Sequence, residues 1–411
     1  MELRLDGKVF DDRLDYVGGL YFFGETGITN DANQLLAPLQ AGSVNFNTQD
    51  VDSYAAFVHG SYAVTARARV SAGIRYTRET KEWNGKYAPF SVFASGAFDP
   101  TLQTRQLVLG NGDGIPNVQN DDPTSTARVR RRETWTPITP KLGLDFQVTP
   151  DVLLFASVAR GSRAGGFNGR ATTPVATEPF DPEYTLSYEI GEKAEFLDDR
   201  IRLNATAFYM DYRDLQQSVL VCAARLSSGE CQVDPPVFAP IVANAASARI
   251  YGGEIEVTAL GWQALRVDAS LGYTNAKYIN VDPVATQASG LSADSVVPWV
   301  PDRTFALGAD YALDLWGGSL KPRVDYTYRS GVAFNVNPGP YGAQGSVALV
   351  NATLTYARAD DRWSAQLFAR NLMDREYVLW INEYSHFIGG PGGWVEAADP
   401  REYGFTVTFN F

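Results

Sequence analysis

Several segments of the chain alternate between apolar and polar residues with a period of two. In one of them Val70, Ala72, Ile74 and Tyr76 are separated by polar or small side chains, and similar alternation recurs at 142–148, 265–274 and 323–329. Successive side chains of a β-strand point to opposite faces, so each such strand has one apolar and one polar face. The pattern therefore predicts strands rather than helices.

The strands are long, and the connections between them alternate between short and long. Many strands run for about ten residues, enough to cross a bilayer at a tilt, and aromatic residues lie near their ends. Short periplasmic turns and long extracellular loops are typical of outer-membrane barrels. Tight turns are predicted near 10–13, 65–67, 149–151, 197–200, 261–263, 314–317 and 359–361, with long connections near 25–50, 85–133, 163–183, 218–248, 280–302, 331–345 and 383–400. The predicted fold is all-β, an antiparallel transmembrane β-barrel.

Composition agrees with this fold and excludes others. The chain has no run of roughly 18 apolar residues, which excludes a helical membrane protein, whereas a barrel strand needs an apolar residue only at every second position. The formal net charge of −12 and the lack of a Lys/Arg-rich face argue against a nucleic-acid partner. No linker divides the chain, so residues 1–411 are expected to form one domain.

The strand count bears on how much of a barrel is present. About fifteen strands are predicted, from 2–9 to 401–411, whereas a complete bacterial barrel has an even number. The first residues, Met1 to Asp6, show neither a basic n-region nor an apolar h-region of a secretory signal. We therefore expect the sequence to lack the front of a longer protein.

The last strand has one strongly apolar face, formed by Tyr403, Phe405, Val407, Phe409 and Phe411. A terminal alternating strand that ends in Phe resembles the signal read by the outer-membrane barrel-assembly machinery, which is thus an expected partner together with outer-membrane lipid. The alternative is an ordinary edge strand, but an apolar edge exposed to water would invite aggregation.

Three stretches resemble TonB-dependent receptors of the ferric-siderophore type. They are RGSRAGGFN at 160–168, YEIGEK at 188–193 followed by 204–216, and RNLMDREY at 370–377. The resemblance implies a twenty-two-stranded barrel of the bacterial outer membrane, closed by an N-terminal plug. It implies that the signal peptide, TonB box, plug and early strands are absent here, so TonB would be contacted only through that absent region. A ferric siderophore is the implied ligand, and no catalysis is implied.

Substrate recognition in such a receptor is expected from extracellular loops. Concave aromatic and basic surfaces suit bulky anionic chelates. The alternative for each side chain is packing within the loops or at the lipid interface. The candidates are Arg163, Phe167, Asn168, Arg170, Trp299, Tyr384, His386, Phe387 and Trp394. The polar run at 371–374 is instead expected to form hydrogen bonds inside the barrel.

Two further loop features concern a disulfide and calcium. Cys222 and Cys231 share one predicted extracellular loop, where oxidising conditions favour a structural disulfide; their spacing does not fit a CxxC redox or zinc site. A stretch rich in Asp, Asn and Gly offers oxygen ligands for loop-bound Ca²⁺, although it also fits a solvated turn cluster. Its candidate ligands are Asn111, Asp113, Asn117, Asp121 and Asp122. No other cofactor is expected.

Two other functions remain as alternatives. A passive porin would form a free-standing barrel of fourteen to sixteen strands with a charged constriction, and the odd strand count weighs against it. A barrel that scaffolds an enzyme or an adhesin is a different class. No nucleophile elbow is visible, and His59 and His386 leave little from which to build a catalytic or metal site.

Overall fold

The computed structural model of the chain describes residues 1–35, 41–91, 127–169, 174–222, 238–261, 264–282, 290–383 and 393–410. Nearly all regular structure in these ranges is β-strand, and a single turn of 3-10 helix lies at Pro174–Thr177. None of the described residues belongs to a helix with the length and apolarity of a membrane span. The all-β class predicted from the alternation is confirmed.

The strands follow one another along the chain with few interruptions. They are β1 (Glu2–Val9), β2 (Leu14–Leu35), β3 (Ala41–Ala63), β4 (Ala68–Ser91), β5 (Ala127–Trp135), β6 (Ile138–Thr149), β7 (Val152–Arg163), β8 (Glu183–Phe196), β9 (Ile201–Cys222), β10 (Phe238–Leu260), β11 (Leu265–Val281), β12 (Arg303–Tyr311), β13 (Leu313–Leu315), β14 (Gly318–Arg329), β15 (Val332–Ala333), β16 (Ala343–Gln344), β17 (Val347–Arg358), β18 (Trp363–Arg370), β19 (Val378–Glu383), β20 (Gly393–Ala397) and β21 (Glu402–Phe409).

Seventeen of these strands form one antiparallel sheet in which each strand pairs with its neighbours along the chain. Strands β5 and β6 both pair with β4, and β12 and β13 both pair with β14, so each of these pairs is one interrupted strand of the sheet. A strand of the sheet, interrupted or not, is called a ribbon below. Counted in this way, seventeen strands make fifteen ribbons, as the sequence predicts. The remaining two hairpins, β15–β16 and β19–β20, lie within long connections.

The two faces of the sheet differ as the alternation predicts. Large apolar side chains on one face are exposed, among them Ile74, Leu142 and Leu271, which are 49%, 52% and 53% exposed. The opposite face carries ion pairs such as Arg69 Nη1 to Asp15 Oδ2 at 2.6 Å. Exposed apolar side chains along every ribbon suit hydrocarbon rather than water, whereas charges on the other face suit a polar lumen.

Tight turns join the ribbons at one end of the sheet. After β1, Phe10, Asp11 and Asp12 adopt φ angles of 57°, 53° and 61°, and residues 197–199 after β8 repeat this with 56°, 56° and 62°. Asp tolerates the left-handed region better than most residues. Both tight turns predicted at these places are confirmed, whereas part of the turn predicted near 261–263 lies outside the described residues.

The sheet is open at its first and last ribbons. In the described part of the chain, β1 pairs with β2 and β21 pairs with β18, and no pairing joins β1 to β21. The outer face of β21 is strongly apolar: Tyr403, Phe405, Val407 and Phe409 are 67%, 75%, 45% and 61% exposed. Phe411 lies outside the described residues.

Candidate functional site

The connection between β7 and β8 folds against the inner wall at the end of the sheet that carries the long loops. Phe167, in the middle of this segment, is only 6% exposed. Its ring lies between two indoles of the wall, with centroid distances of 6.4 Å to Trp83 and 6.3 Å to Trp135. These aromatic rings form a small buried core together with Ala176. The described parts of segment 164–181, residues 164–169 and 174–181, are therefore packed against the wall.

Gly165 lets the segment approach the wall closely. A Cβ atom at this position would lie 2.5 Å from the carbonyl oxygen of Phe180 and 2.6 Å from a ring carbon of Trp135. Gly166 next to it pairs with Phe180 through two backbone hydrogen bonds of 3.0 and 2.9 Å. The glycine run in the sequence thus marks a close approach of backbone to side chains, where a larger residue does not fit.

Asn168 fastens the segment to β10. Its Oδ1 accepts a hydrogen bond of 2.6 Å from the Val242 amide, and its Nδ2 donates one of 3.4 Å to the Val242 carbonyl. Gln216 on β9 donates to the carbonyl oxygens of Ala164 and Asp181 at 2.8 and 3.1 Å. Amide side chains that bond backbone in this manner replace the pairing that a strand would supply.

Charged side chains complete the attachment. Lys81 donates a hydrogen bond of 2.7 Å to the carbonyl oxygen of Gly165, and Arg131 pairs with Glu178. The Trp135 indole N–H donates to Asp181 at 3.2 Å. The roles of Trp83 and Trp135 were not predicted from the sequence. Their strand parity could have revealed them, because both are aromatic residues at inward positions where the pattern predicts polar ones.

Three of the predicted ligand residues are exposed at the end of the sheet that carries the long loops, which is called the mouth below. The Arg163 side chain is 70% exposed, with Nη1 3.9 Å from a Glu183 carboxylate oxygen. Trp299 is 50% exposed and meets Phe334 edge-on at a centroid distance of 4.8 Å. Trp394, on β20, is 70% exposed. These side chains are free to contact a molecule that enters from outside.

The other predicted ligand residues fall into two groups. Phe167 and Asn168 are buried in the attachment of segment 164–181, so the geometry gives them a structural task and leaves their contact with a ligand a prediction. Arg170, Tyr384, His386 and Phe387 lie outside the described residues, and their predicted ligand contacts remain predictions.

Asn371, at the start of the polar run 371–374, is used structurally. It is 7% exposed, with a φ of 46°. Its Oδ1 accepts from the Arg375 amide at 2.8 Å, its Nδ2 donates to the Arg375 carbonyl at 3.0 Å, and its own amide donates to Asn351 Oδ1 at 2.9 Å. The side chain thus shapes the turn after β18, and the bond to Asn351 on β17 is of the kind expected from the sequence, a hydrogen bond to a neighbouring strand.

The predicted disulfide and calcium site are not covered by the described residues. Cys231 and the five candidate calcium ligands between 111 and 122 fall in gaps, and the side chain of Cys222 at the end of β9 is not described. Within the described ranges, no three His, Cys, Asp or Glu side chains are grouped so that they could hold a metal ion. Both sites remain predictions.

A second buried core lies between β9, β10 and β11, on the long-loop side of the apolar outer face of these strands. It includes Val219, Leu291 and Tyr278. The outer face of β11 becomes polar at Asn275 and Lys277, so Tyr278 lies beyond the membrane-spanning part. Its hydroxyl has no hydrogen-bond partner among the described residues, and burial raises the pKa of this phenol to about 12.

The chain is similar in sequence to a known protein family. Residues 2–372 match the family described as TonB dependent receptor-like, beta-barrel. The pesticin receptor of Yersinia pestis is 23% identical over 372 residues, which are 89% of this chain and 45% of that protein. The ferric-pyoverdine M114 receptor PbuA of Pseudomonas sp. strain M114 is 28% identical over 269 residues, covering 63% of this chain and 29% of that protein.

Among solved structures, the ferric yersiniabactin uptake receptor FyuA from Yersinia pestis superposes with a TM-score of 0.75 at 18% identity. The superposition covers 100% of this chain and 53% of that one. The chain spans about half the length of the relatives that match nearly all of it. Such receptors reside in the outer membrane of Gram-negative bacteria, which is therefore the location of this chain. The chain belongs to the TonB-dependent receptor family, to whose β-barrel it corresponds.

Proposed function

We propose that the chain forms most of the barrel of an outer-membrane uptake receptor for a bulky ferric siderophore, energised through TonB in the complete protein. The family match over residues 2–372 carries this proposal. The names of the relatives support it, because they include a ferric-pyoverdine receptor and a ferric yersiniabactin uptake receptor. These relatives are receptors and transporters, which agrees with a protein that catalyses no reaction.

The exposed side chains at the mouth fit such a ligand. Trp299 and Trp394 offer flat apolar surfaces, and Arg163 offers an exposed positive charge. Ferric siderophore complexes are bulky and many carry negative charge, so aromatic faces and a guanidinium are suitable contacts. We assign ligand contact to these three residues.

Contact with TonB is assigned to a part of the complete protein that lies outside this chain, as the family resemblance implies. We assign recognition during barrel assembly to β21. Its apolar face from Tyr403 to Phe409 is exposed, and within the described residues only one of its two edges is paired, with β18. The barrel-assembly machinery is thus the partner that we propose for the C-terminal strand.

Tryptophan fluorescence of the detergent-folded chain tests ligand contact. A cognate ferric siderophore, found by screening ferric yersiniabactin, ferric pyoverdine and ferric enterobactin, should quench part of the emission with a saturable curve. Trp299→Phe and Trp394→Phe should each reduce the quenched fraction, and Arg163→Gln should weaken binding. Trp316→Phe is the matched control, because Trp316 is 78% exposed in a turn at the opposite end of the barrel.

Quenching that is equal in all three tryptophan variants would contradict the assigned contacts. A passive pore would instead show conductance of small ions with no saturable chelate binding. A second test uses growth on ferric siderophore as the sole iron source, with the gene that encodes the chain present or deleted. Growth that does not depend on this gene for any chelate in the screen would contradict the uptake function itself.

A further inference from the structure

An open apolar groove lies on the outer face of the first four ribbons. It has a volume of about 690 Å³, and its walls include Leu3, Leu20, Phe22, Tyr54, Ala56 and Tyr76. The volume is within the range of roughly 300 to 1,000 Å³ found for small-molecule sites. All six of these side chains lie on the face that the alternation assigns to lipid, so the groove opens toward the membrane and not toward the lumen.

The small side chain of Ala56 makes the groove. On β3 Ala56 lies opposite Leu20 of β2 and Tyr76 of β4, so the larger side chains stand on both sides of it. One step further from the tight turns, the Phe22 and Tyr54 rings pack together with centroids 5.0 Å apart and planes tilted by 45°. The result is a channel with an aliphatic floor and an aromatic upper wall, and this shape matches an acyl chain.

Arg78 stands at the aromatic end of the groove. It also lines the groove, and it lies directly across from Tyr54 and two residues beyond Tyr76 on the same face. From Ile74 to Arg78 the outer face of β4 therefore changes from aliphatic to aromatic to cationic within about 13 Å of strand. Aromatic belts mark the boundary between hydrocarbon and headgroups, which places Arg78 at the level of lipid phosphates.

The local charges leave Arg78 available for an anion. Its side chain is exposed, and no described residue forms an ion pair with it. Asp52 lies on the same face of β3 opposite Thr80, but no ion pair joins it to Arg78. The next carboxylate on β4, Glu82, accepts a hydrogen bond of 2.7 Å from Arg130 Nε and is already neutralised.

Two hydroxyls lie one position beyond Arg78 on the same face, farther from the tight turns. Thr80 and Thr134 are joined by a hydrogen bond of 2.9 Å between their Oγ1 atoms, on the exposed face of β4 and β5. A hydroxyl pair of this kind retains lone pairs and can redirect a proton toward an anion. A guanidinium with adjacent hydroxyls is a donor set that suits phosphate.

We propose that this groove binds a phosphorylated lipid of the outer membrane, with an acyl chain between Leu20, Ala56 and Tyr76 and the phosphate on Arg78. The site is distinct from the mouth of the barrel, so it does not depend on the siderophore proposal. Bound lipid would fill an apolar cavity and neutralise an unpaired cation in one step.

Native mass spectrometry of the chain in detergent tests the proposal with three probes. Dioleoyl phosphatidic acid and dioleoylglycerol have the same acyl chains and differ in the phosphate, and glycerol phosphate has the phosphate alone. We expect phosphatidic acid to bind roughly tenfold more tightly than dioleoylglycerol, because one arginine–phosphate contact is worth about this factor. Glycerol phosphate at the same concentration should not compete.

Variants separate the two parts of the site. Arg78→Gln should remove the preference for phosphatidic acid, and Ala56→Trp, which fills the groove, should weaken both lipids at least tenfold. Leu20→Trp is a second filling variant if Ala56→Trp does not fold, as judged by heat-modifiable electrophoretic mobility. Arg160→Gln is the matched control, since Arg160 stacks on the Tyr184 ring at 4.1 Å, away from the groove.

Several outcomes would overturn the proposal. Equal binding of both lipids would remove the role of Arg78, and competition by glycerol phosphate would indicate a free-phosphate site. A loss in Arg160→Gln equal to that in Arg78→Gln would indicate general charge attraction. A dimer that disappears in the groove-filling variants would indicate that a second copy of the chain occupies the groove.

Discussion

Replacing Phe167 by alanine should release segment 164–181 from the wall without unfolding the barrel. A buried aromatic side chain removes about 150 to 250 Å² from water, worth about 4 to 6 kcal/mol at about 25 cal/mol per Å². Measured Phe→Ala changes in cores are about 3 to 5 kcal/mol. Since Phe167 lies between Trp83 and Trp135, we take the lower end, about 3 kcal/mol, because the two indoles can partly close the gap.

That loss corresponds to a roughly hundredfold rise in the local opening equilibrium. Hydrogen exchange measured by mass spectrometry on peptides from 164–181 should therefore accelerate by about this factor in Phe167→Ala. Peptides from the membrane-spanning ribbons should exchange as before. Phe10→Ala is the matched control, because Phe10 is 69% exposed in a tight turn at the other end of the barrel. Unchanged exchange of 164–181 in Phe167→Ala would refute the anchoring role.

Three further predictions concern other parts of the chain. Gly165→Ala should also speed exchange of segment 164–181, at least tenfold, because its Cβ would meet a carbonyl oxygen and an indole at about 2.5 Å; Gly161→Ala, where nothing lies within 4 Å, should not. Phe405→Lys places a charge on the lipid face and should lower the free energy of unfolding in bilayers by about 2 kcal/mol or more. Thr406→Lys on the opposite face should be tolerated. Heat-modifiable electrophoretic mobility reports the folded fraction of both variants. Burial raises the pKa of the Tyr278 phenol to about 12, so the folded chain keeps this proton above the ordinary pKa near 10. The unfolded chain loses the proton above pH 10, so the free energy of unfolding is fully present below pH 10 and falls by up to about 2 kcal/mol toward pH 12. Urea titrations of Tyr278→Phe should lack this fall.

The fold follows from local pattern to a large degree. Alternation at 70–76 assigns Ile74 to the outer face, and the structure places it there, because the two-residue period of a strand leaves no other choice once one face is apolar. The tight turns could also be predicted from the sequence. Asp-rich turns with positive φ are defined by neighbouring residues alone, so the turn at 10–13 needed no knowledge of the rest of the chain.

The packing of the β7–β8 connection was not accessible in the same way. Phe167 is buried by Trp83, which lies 84 residues earlier in the chain, and Asn168 bonds to Val242, which lies 74 residues later. Period-two analysis fixes the face of each strand but not which loop folds onto which wall. Phe167 and Asn168 were therefore predicted as ligand contacts, whereas the structure uses them as anchors.

The outer groove shows a different limit of sequence analysis. Leu20 and Ala56 fit the alternation on their strands and Arg78 ends it on β4, yet only the register between strands brings a small residue, a large one and a cation together. Register depends on turn lengths and bulges along the whole sheet. A single sequence gives the faces but not these lateral neighbours.

One face of every ribbon contacts lipid, and the other faces a polar lumen. Spin labels at two adjacent positions distinguish the faces, with Leu271→Cys on the exposed apolar face and Ser270→Cys on the opposite one, in a chain whose Cys222 and Cys231 are replaced by Ser. In bilayers the label at 271 should be relaxed by oxygen and shielded from a water-soluble nickel chelate, and the label at 270 should show the reverse. Equal access of the nickel chelate to both labels would contradict the membrane-spanning sheet.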